Sequence, residues 1–269
     1  MNKLHKSVLI GVGALVLSTV AIQASDLVRG IEGGLSGLVI ESGSICGEGA
    51  VQVLLGSHAL CVDTYEASPS PLCPHQVPDS QIQTQENANE KECHPESKKD
   101  AQPWSFVSLT QAQQFCGRTG KRLPTNEEWY KVVSGFTDQS SCVVSSGAAQ
   151  PSKTGSTQCV TPSGVYDMVG NVWEWIDEEI NAGTYNERTL PQSGYVALVD
   201  TDGIVVETSQ TGSLEFGNDY ALTSADGVRG VIRGGFYGSK DDAGIFAQNL
   251  SVPLDFRAMG VGFRCVRDI

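Results

Sequence analysis

The sequence predicts an α+β fold low in regular secondary structure, with two short helices beside small antiparallel sheets. Three observations lead there. Two capping boxes mark helix starts, hairpin signals mark strands, and 30 glycines with 11 prolines interrupt any longer periodic run. Apolar residues make up 40% of the 269, enough for one core, and no internal repeat divides the chain.

The first helix is announced by Ser108 with Gln111. Ala112, Phe115 and Cys116 fall at i, i+3 and i+4, and Gly117 or Gly120 stops the run. Thr125 with Glu128 opens the second, with Trp129, Val132 and Val133 on one face and Gly135 as its stop. A hairpin is expected from Ala50 through Gly56-Ser57-His58 into Cys61–Glu66. Another is expected from Val196–Val199 and Ile204–Val206 about Asp202-Gly203. One strand is expected at Leu38-Val39-Ile40. Residues 74–103 are polar and contain proline, so they read as a long loop that needs an anchor. The rest of the chain beyond residue 136 reads as irregular, and Glu178-Glu179 as a solvated helix end.

Export is expected from the first residues. Lys3 and Lys6 precede an apolar run from Val8 to Ile22, and Ile22-Gln23-Ala24 offers a small residue at the cut. The division that follows is a signal peptide at 1–24, a lead-in at 25–45 and a domain at 46–269, with an uncleaved anchor as the alternative. The net charge is −13; without Lys3 and Lys6 there are 16 basic against 31 acidic residues, or −15. Such a surface repels phosphate backbones and anionic headgroups. Nucleic acid is therefore excluded as a partner, and a membrane enters only if the N-terminal segment stays attached.

Eight cysteines, an even number, all follow the expected signal: Cys46, Cys61, Cys73, Cys93, Cys116, Cys142, Cys159 and Cys265. None is spaced Cys-x-x-Cys, so four disulfides in an oxidising compartment are the economical reading, although eight cysteines allow 105 pairings.

Three segments carry a family resemblance. They are Arg122-Leu123-Pro124-Thr125-Asn126-Glu127-Glu128-Trp129, Gly164-Val165-Tyr166-Asp167-Met168-Val169-Gly170-Asn171-Val172-Trp173-Glu174-Trp175, and Arg233-Gly234-Gly235 closing with Gly262-Phe263-Arg264-Cys265. From about Cys61 to the C-terminus the chain resembles the formylglycine-generating enzyme (sulfatase-modifying factor) domain. The resemblance implies a variant of the C-type-lectin-like fold and a Cys116–Cys265 disulfide. That bridge closes a loop of about 150 residues, for which the chain-entropy argument gives at most ~5 kcal/mol. Proximity pairs the others as Cys46–Cys61, Cys73–Cys93 and Cys142–Cys159. Trp129, Trp173 and Trp175 read as buried anchors of ~150–250 Å² each. Gly234-Gly235 read as points of positive φ or close approach, and Arg264 as a paired structural arginine.

Asp167 and Glu174 supply hard oxygens seven residues apart, with Gly170 letting carbonyls turn inward, which is the chemistry calcium takes. The resemblance implies a calcium site from the side chains of Asp167 and Glu174 and the carbonyls of Gly170 and Val172. It also implies what is lacking. Active members of the family oxidise a cysteine with copper held by a Cys-x4-Cys pair after Arg-Gly-Gly, and soft thiolates suit that ion. Counted without gaps, those positions are Ser239 and Gly244, and residues 234–264 contain no cysteine. Copper is not expected. Nor is the iron of the sulfoxide-forming branch, because His5, His58, His75 and His94 show no ligand spacing.

The function expected is an exported, non-catalytic domain that binds a protein or glycan through residues 236–260. Phe236, Tyr237, Phe246, Asn249 and Phe256 supply aromatic and amide contacts there. The alternatives are a metal-dependent oxidoreductase or protein modifier of the formylglycine type, and a surface structural or adhesive protein. Asn249-Leu250-Ser251 is also a glycosylation sequon.

Overall fold

The computed structural model describes residues 45–269 apart from 138, 146 and 148. The expected signal, the strand at 38–40 and all of the lead-in but Ile45 lie outside the described residues.

In chain order the elements are β1 (Ala50–Leu55), β2 (His58–Asp63), β3 (Ala67–Pro69), α1 (Gln81–Asn89), β4 (Pro95–Ser97), α2 (Leu109–Arg118) and α3 (Asn126–Val133). The second half holds β5 (Trp173–Asn181), β6 (Thr184–Tyr185), β7 (Arg188–Thr189), β8 (Gly194–Val199), β9 (Val205–Ser209), β10 (Tyr220–Thr223), β11 (Val228–Arg233), β12 (Gln248–Val252), β13 (Val261–Phe263) and β14 (Val266–Asp268).

Both capping boxes are closed. Gln111 N–H donates to Ser108 Oγ (3.3 Å) and Ser108 N–H to Gln111 Oε1 (3.1 Å), and Thr125 and Glu128 repeat the pattern. Glu128 has a further task, taking a bidentate pair of 2.7 Å bonds from Arg122.

Helix α1 corrects the expectation of a loop. It has no apolar stripe to read, because polar groups tie down its inner face. Ser80 caps it, Thr84 Oγ1 donates to the Ser105 carbonyl (2.9 Å), and the Asn87 amide exchanges bonds with the His75 backbone (2.9 and 2.7 Å). Cys73–Cys93 clasps the segment.

The second half is also more regular than its sequence suggests. A nine-stranded sheet runs β7-β6-β5-β11-β12-β10-β8-β9, with β13 parallel to β5. Glu178 and Glu179 lie in β5, not at a helix end. The expected hairpins are β1–β2 and β8–β9. Strand β14 pairs with β2, so the two ends of the described chain share one three-stranded sheet.

The core packs around the large sheet in two main clusters. In one, Trp104, Phe115 and Phe263 have ring centroids 3.9–6.1 Å apart. In the other, Trp129, Val132 and Val133 of α3 meet Val53, Leu55, Leu60 and Ile176. Four disulfides brace this frame: Cys46–Cys61, Cys73–Cys93, Cys116–Cys265 and Cys142–Cys159.

Loop length ranks these bridges. Cys116–Cys265 spans 149 residues and Cys46–Cys61 spans 15. Replacing the first pair by alanines is expected to lower unfolding free energy by about 5 kcal/mol, and replacing the second by about 3 kcal/mol. Denaturant titration of the two variants checks that order.

Candidate functional site

Two places stand out, a buried charged centre and an open pocket above it on the sheet. Glu174, in β5, lies between Arg233 of β11 and Gly262 of β13 and is buried. Its Oε1 accepts from Arg264 Nε (2.8 Å) and Nη2 (2.5 Å), and its Oε2 accepts from Trp129 Nε1 (2.8 Å). Arg264 donates onward to the carbonyls of Asp63 (3.0 Å) and Tyr166 (2.7 Å). Asp63 in turn takes bonds from Lys121 Nζ (2.5 Å) and the Cys265 N–H (3.2 Å).

Two further buried carboxylates face this pair. Glu66 accepts from Asn171 Nδ2 (2.6 Å) and the Val172 N–H (3.2 Å). Burial holds its carboxyl well above the usual range; the Asp167 and Glu174 charges add to that, while Arg264 and Asn171 oppose it. Asp167 accepts from the Gly155 N–H (2.6 Å), and burial pushes it up to about 6. Glu66, Asp167 and Glu174 thus share one guanidinium, a surplus of buried carboxyl groups over cations.

Among the described residues no three Asp, Glu, His or Cys side chains converge as metal ligands. A set of two side chains and two carbonyls is a different arrangement. Asp167, Gly170 and Val172 lie in one turn leading into β5, where Asp167, Gly170 and Asn171 have positive φ. Gly170 is required at its place, since a Cβ would stand 2.4 Å from the Val143 carbonyl oxygen. Its N–H donates to the Gly234 carbonyl (3.0 Å). Gly234 has φ 90°, and a Cβ there would stand 2.5 Å from the Met168 carbonyl oxygen. Oxygen donors for a hard cation are therefore present at Asp167, whereas both Glu174 oxygens already serve Arg264 and Trp129.

The pocket, of about 380 Å³, is built by register. Tyr220 of β10 pairs with Tyr195 of β8, and Leu222 with Asn249 of β12, so these side chains share one face. Trp173 closes one side, and the 236–242 loop with Phe236, Ser239 and Asp242 closes another. Trp129 and Trp175 are fully buried, while Trp173 is only half-buried; the tryptophan that sequence reasoning missed as core is Trp104.

Of the five contact residues expected from sequence, the pocket brings together Phe236 and Asn249. Tyr237 packs edge-on against Phe236 at 5.1 Å. Phe246 turns toward Phe216 and Tyr130, and Phe256 is exposed on a separate turn. Sequence reasoning passed over Tyr195, Tyr220 and Asp242. Tyrosines flanking buried Ala221 and Val196 were the available signal, but pairing β8 with β10 was needed to read it.

Ser239 lies in this loop, and Gly244 follows it. Ser239 Oγ accepts from the Phe236 N–H (3.0 Å). A Cβ on Gly244 would lie 2.1 Å from Asp219 Oδ1, so no thiol fits there without displacing a carboxylate. Asp219 accepts from the Phe246 N–H (2.7 Å), and burial pushes it up to about 7, with Arg233 opposing and Asp242 adding to the rise.

A carboxyl raised in this way holds a proton in the folded state that the unfolded chain releases near its ordinary 3.8. Stability therefore falls as pH rises from about 4 to about 7, then levels. Melting temperatures are expected to be lower at pH 8 than at pH 5, with a smaller difference in Asp219→Asn. Some slope persists in the variant, because Asp63, Glu66, Asp167 and Glu178 are raised too.

Comparison with known proteins places this architecture. A curated bovine (Bos taurus) relative, "Inactive C-alpha-formylglycine-generating enzyme 2", is 29% identical over 122 aligned residues, covering 36% of this chain and 40% of the relative. The chain thus matches well under two thirds of that relative's length. Among solved structures, the Major Tropism Determinant P3c variant aligns with a TM-score of 0.45 at 17% identity, over 82% of this chain and 53% of that one. PvdO from Pseudomonas aeruginosa aligns with a TM-score of 0.44 at 14% identity, over 85% and 88%. The family profile described as sulfatase-modifying factor enzyme 1-like domain matches residues 49–269. The chain belongs to that family and carries its α+β variant of the C-type-lectin-like fold.

Proposed function

We propose that this is an exported, non-catalytic member of the family that binds a protein or glycan ligand through the face around the 236–260 segment. The observation that carries the reading is the fate of the sulfur. Every cysteine is in a disulfide, and the described residues include no free thiol. Thiol oxidation of the family's kind needs two thiolates on copper. Here one of those positions is a serine whose oxygen closes a turn, and the other is a glycine packed against Asp219. The bovine relative is itself named inactive, in line with this reading. Four disulfides fit an oxidising compartment, and no helix among the described residues is long and apolar enough to cross a membrane.

Calcium belongs to the same proposal. The surplus of buried carboxylate supports it, with Asp167 and the carbonyls of Gly170 and Val172 as the donors and Glu174 fixing the strand beside them. A bound cation would offset charge that burial otherwise forces toward protonation.

Two measurements test these readings. Purified protein incubated with copper and a sulfatase-type cysteine peptide is expected to yield no aldehyde; conversion of the peptide would overturn the non-catalytic reading. Calorimetry on chelated protein is expected to show saturable calcium uptake that Asp167→Asn abolishes. No uptake, with a melting temperature indifferent to chelator, would remove calcium from the account.

A further inference from the structure

We infer that the pocket on the large sheet is a receptor for a methylated ammonium group, a compact organic cation of the trimethylammonium type. The inference rests on the binding reading and names a ligand class for part of that same face.

The lining makes the case. Trp173, Tyr195, Tyr220 and Phe236 contribute four aromatic rings, and Asp242 contributes a carboxylate at the rim. No lining residue is basic. The rings are held by backbone register on β5, β8 and β10 and by the closed Phe236–Ser239 turn, so the site is formed before any ligand arrives. Tyr195 and Tyr220 meet edge to face, with centroids 5.2 Å apart and planes at 81°, which leaves one of the pair presenting a π face to its surroundings. A cation is attracted to such faces by the ring quadrupole, and methylated ammonium loses little hydration on entering.

Charge points the same way. Asp242 is the one charged side chain in the lining, and it stands on the loop side of the pocket. The whole molecule, at −13, adds a field that draws cations in. An anionic ligand meets no complementary group there. Two of the neutral acceptors there are already taken, Asn249 Oδ1 by the Ser251 N–H (3.0 Å) and Oγ (2.7 Å) and Ser239 Oγ by the Phe236 N–H (3.0 Å). The volume, about 380 Å³, lies at the small-ligand end of the ~300–1,000 Å³ range of binding sites.

Fluorescence offers a direct test. Of the four tryptophans, Trp104, Trp129 and Trp175 are fully buried, so a ligand in the pocket acts on Trp173. Titration with choline and with a trimethyllysine peptide is expected to change emission saturably, and the tighter of the two identifies the source. The neutral isostere 3,3-dimethylbutanol is expected to bind weaker by about tenfold or more. Asp242→Asn should weaken both cations and leave the isostere unaffected, with an unchanged melting temperature confirming the fold. Equal binding of isostere and cation, or no saturable change with either cation, would overturn the inference. A glycan array and partner pull-down with the same protein test the broader reading. Capture of a ligand lost in Tyr220→Ala, without any cation response, would leave that reading standing and this one fallen.

Discussion

The structure depends on one carboxylate. Glu174 joins β5 to the indole of α3 and to Arg264 in the connection between β13 and β14, and Arg264 extends the link to the backbone of Asp63 and Tyr166. Segments more than a hundred residues apart are thereby fixed around a single buried ion pair. Such a pair adds little net stability over an apolar equivalent, but removing one partner costs about 3–5 kcal/mol because a bare charge is left inside. Its value lies in specifying one arrangement for a chain with short strands and long connections. The Cys116–Cys265 bridge, adjacent to Arg264, locks the same junction covalently.

That junction sets the geometry on both sides of β5. Toward the interior it holds the 167–171 turn, where Gly170 and Gly234 let two backbones approach closely enough to hydrogen-bond. Toward the surface it fixes the start of β5, and with it Trp173, across β11 and β12 from the strands that carry Tyr220 and Tyr195. The rigidity of the centre and the openness of the pocket are therefore linked: the half-buried ring that lines the pocket is two residues from a fully buried ring on the same face of β5.

Local chemistry was readable in the sequence, and long-range pairing was not. Both capping boxes, both hairpins and the structural role of Arg264 follow from short spacings, because each involves groups a few residues apart or a residue with one plausible use. Helix α1 escaped because its inner face is held by Thr84 and Asn87 and lacks an apolar stripe. The sheet escaped because its strands run from two to nine residues and include parallel pairs between distant segments, β10 with β12 and β5 with β13. Trp173 was read as core from its residue type alone; only the neighbouring strands reveal that its outer side is open. The family motifs supplied the fold, but they could not show that Glu174 would be fully engaged by Arg264 and Trp129.

Restoring the family's thiol pair would take more than two substitutions. Placing a thiol at 244 requires removing the Asp219 carboxylate from the space a side chain would fill, and Asp219 itself closes the backbone at Phe246. Restoring sulfur at 239 requires giving up the hydroxyl that closes the Phe236 turn. Each change disturbs a wall of the aromatic pocket, because Phe236 and Ser239 line it and Asp219 braces the chain leading to β12. On the proposed reading, the residues that stand where copper would be held shape the binding face, so regaining one role would erode the other.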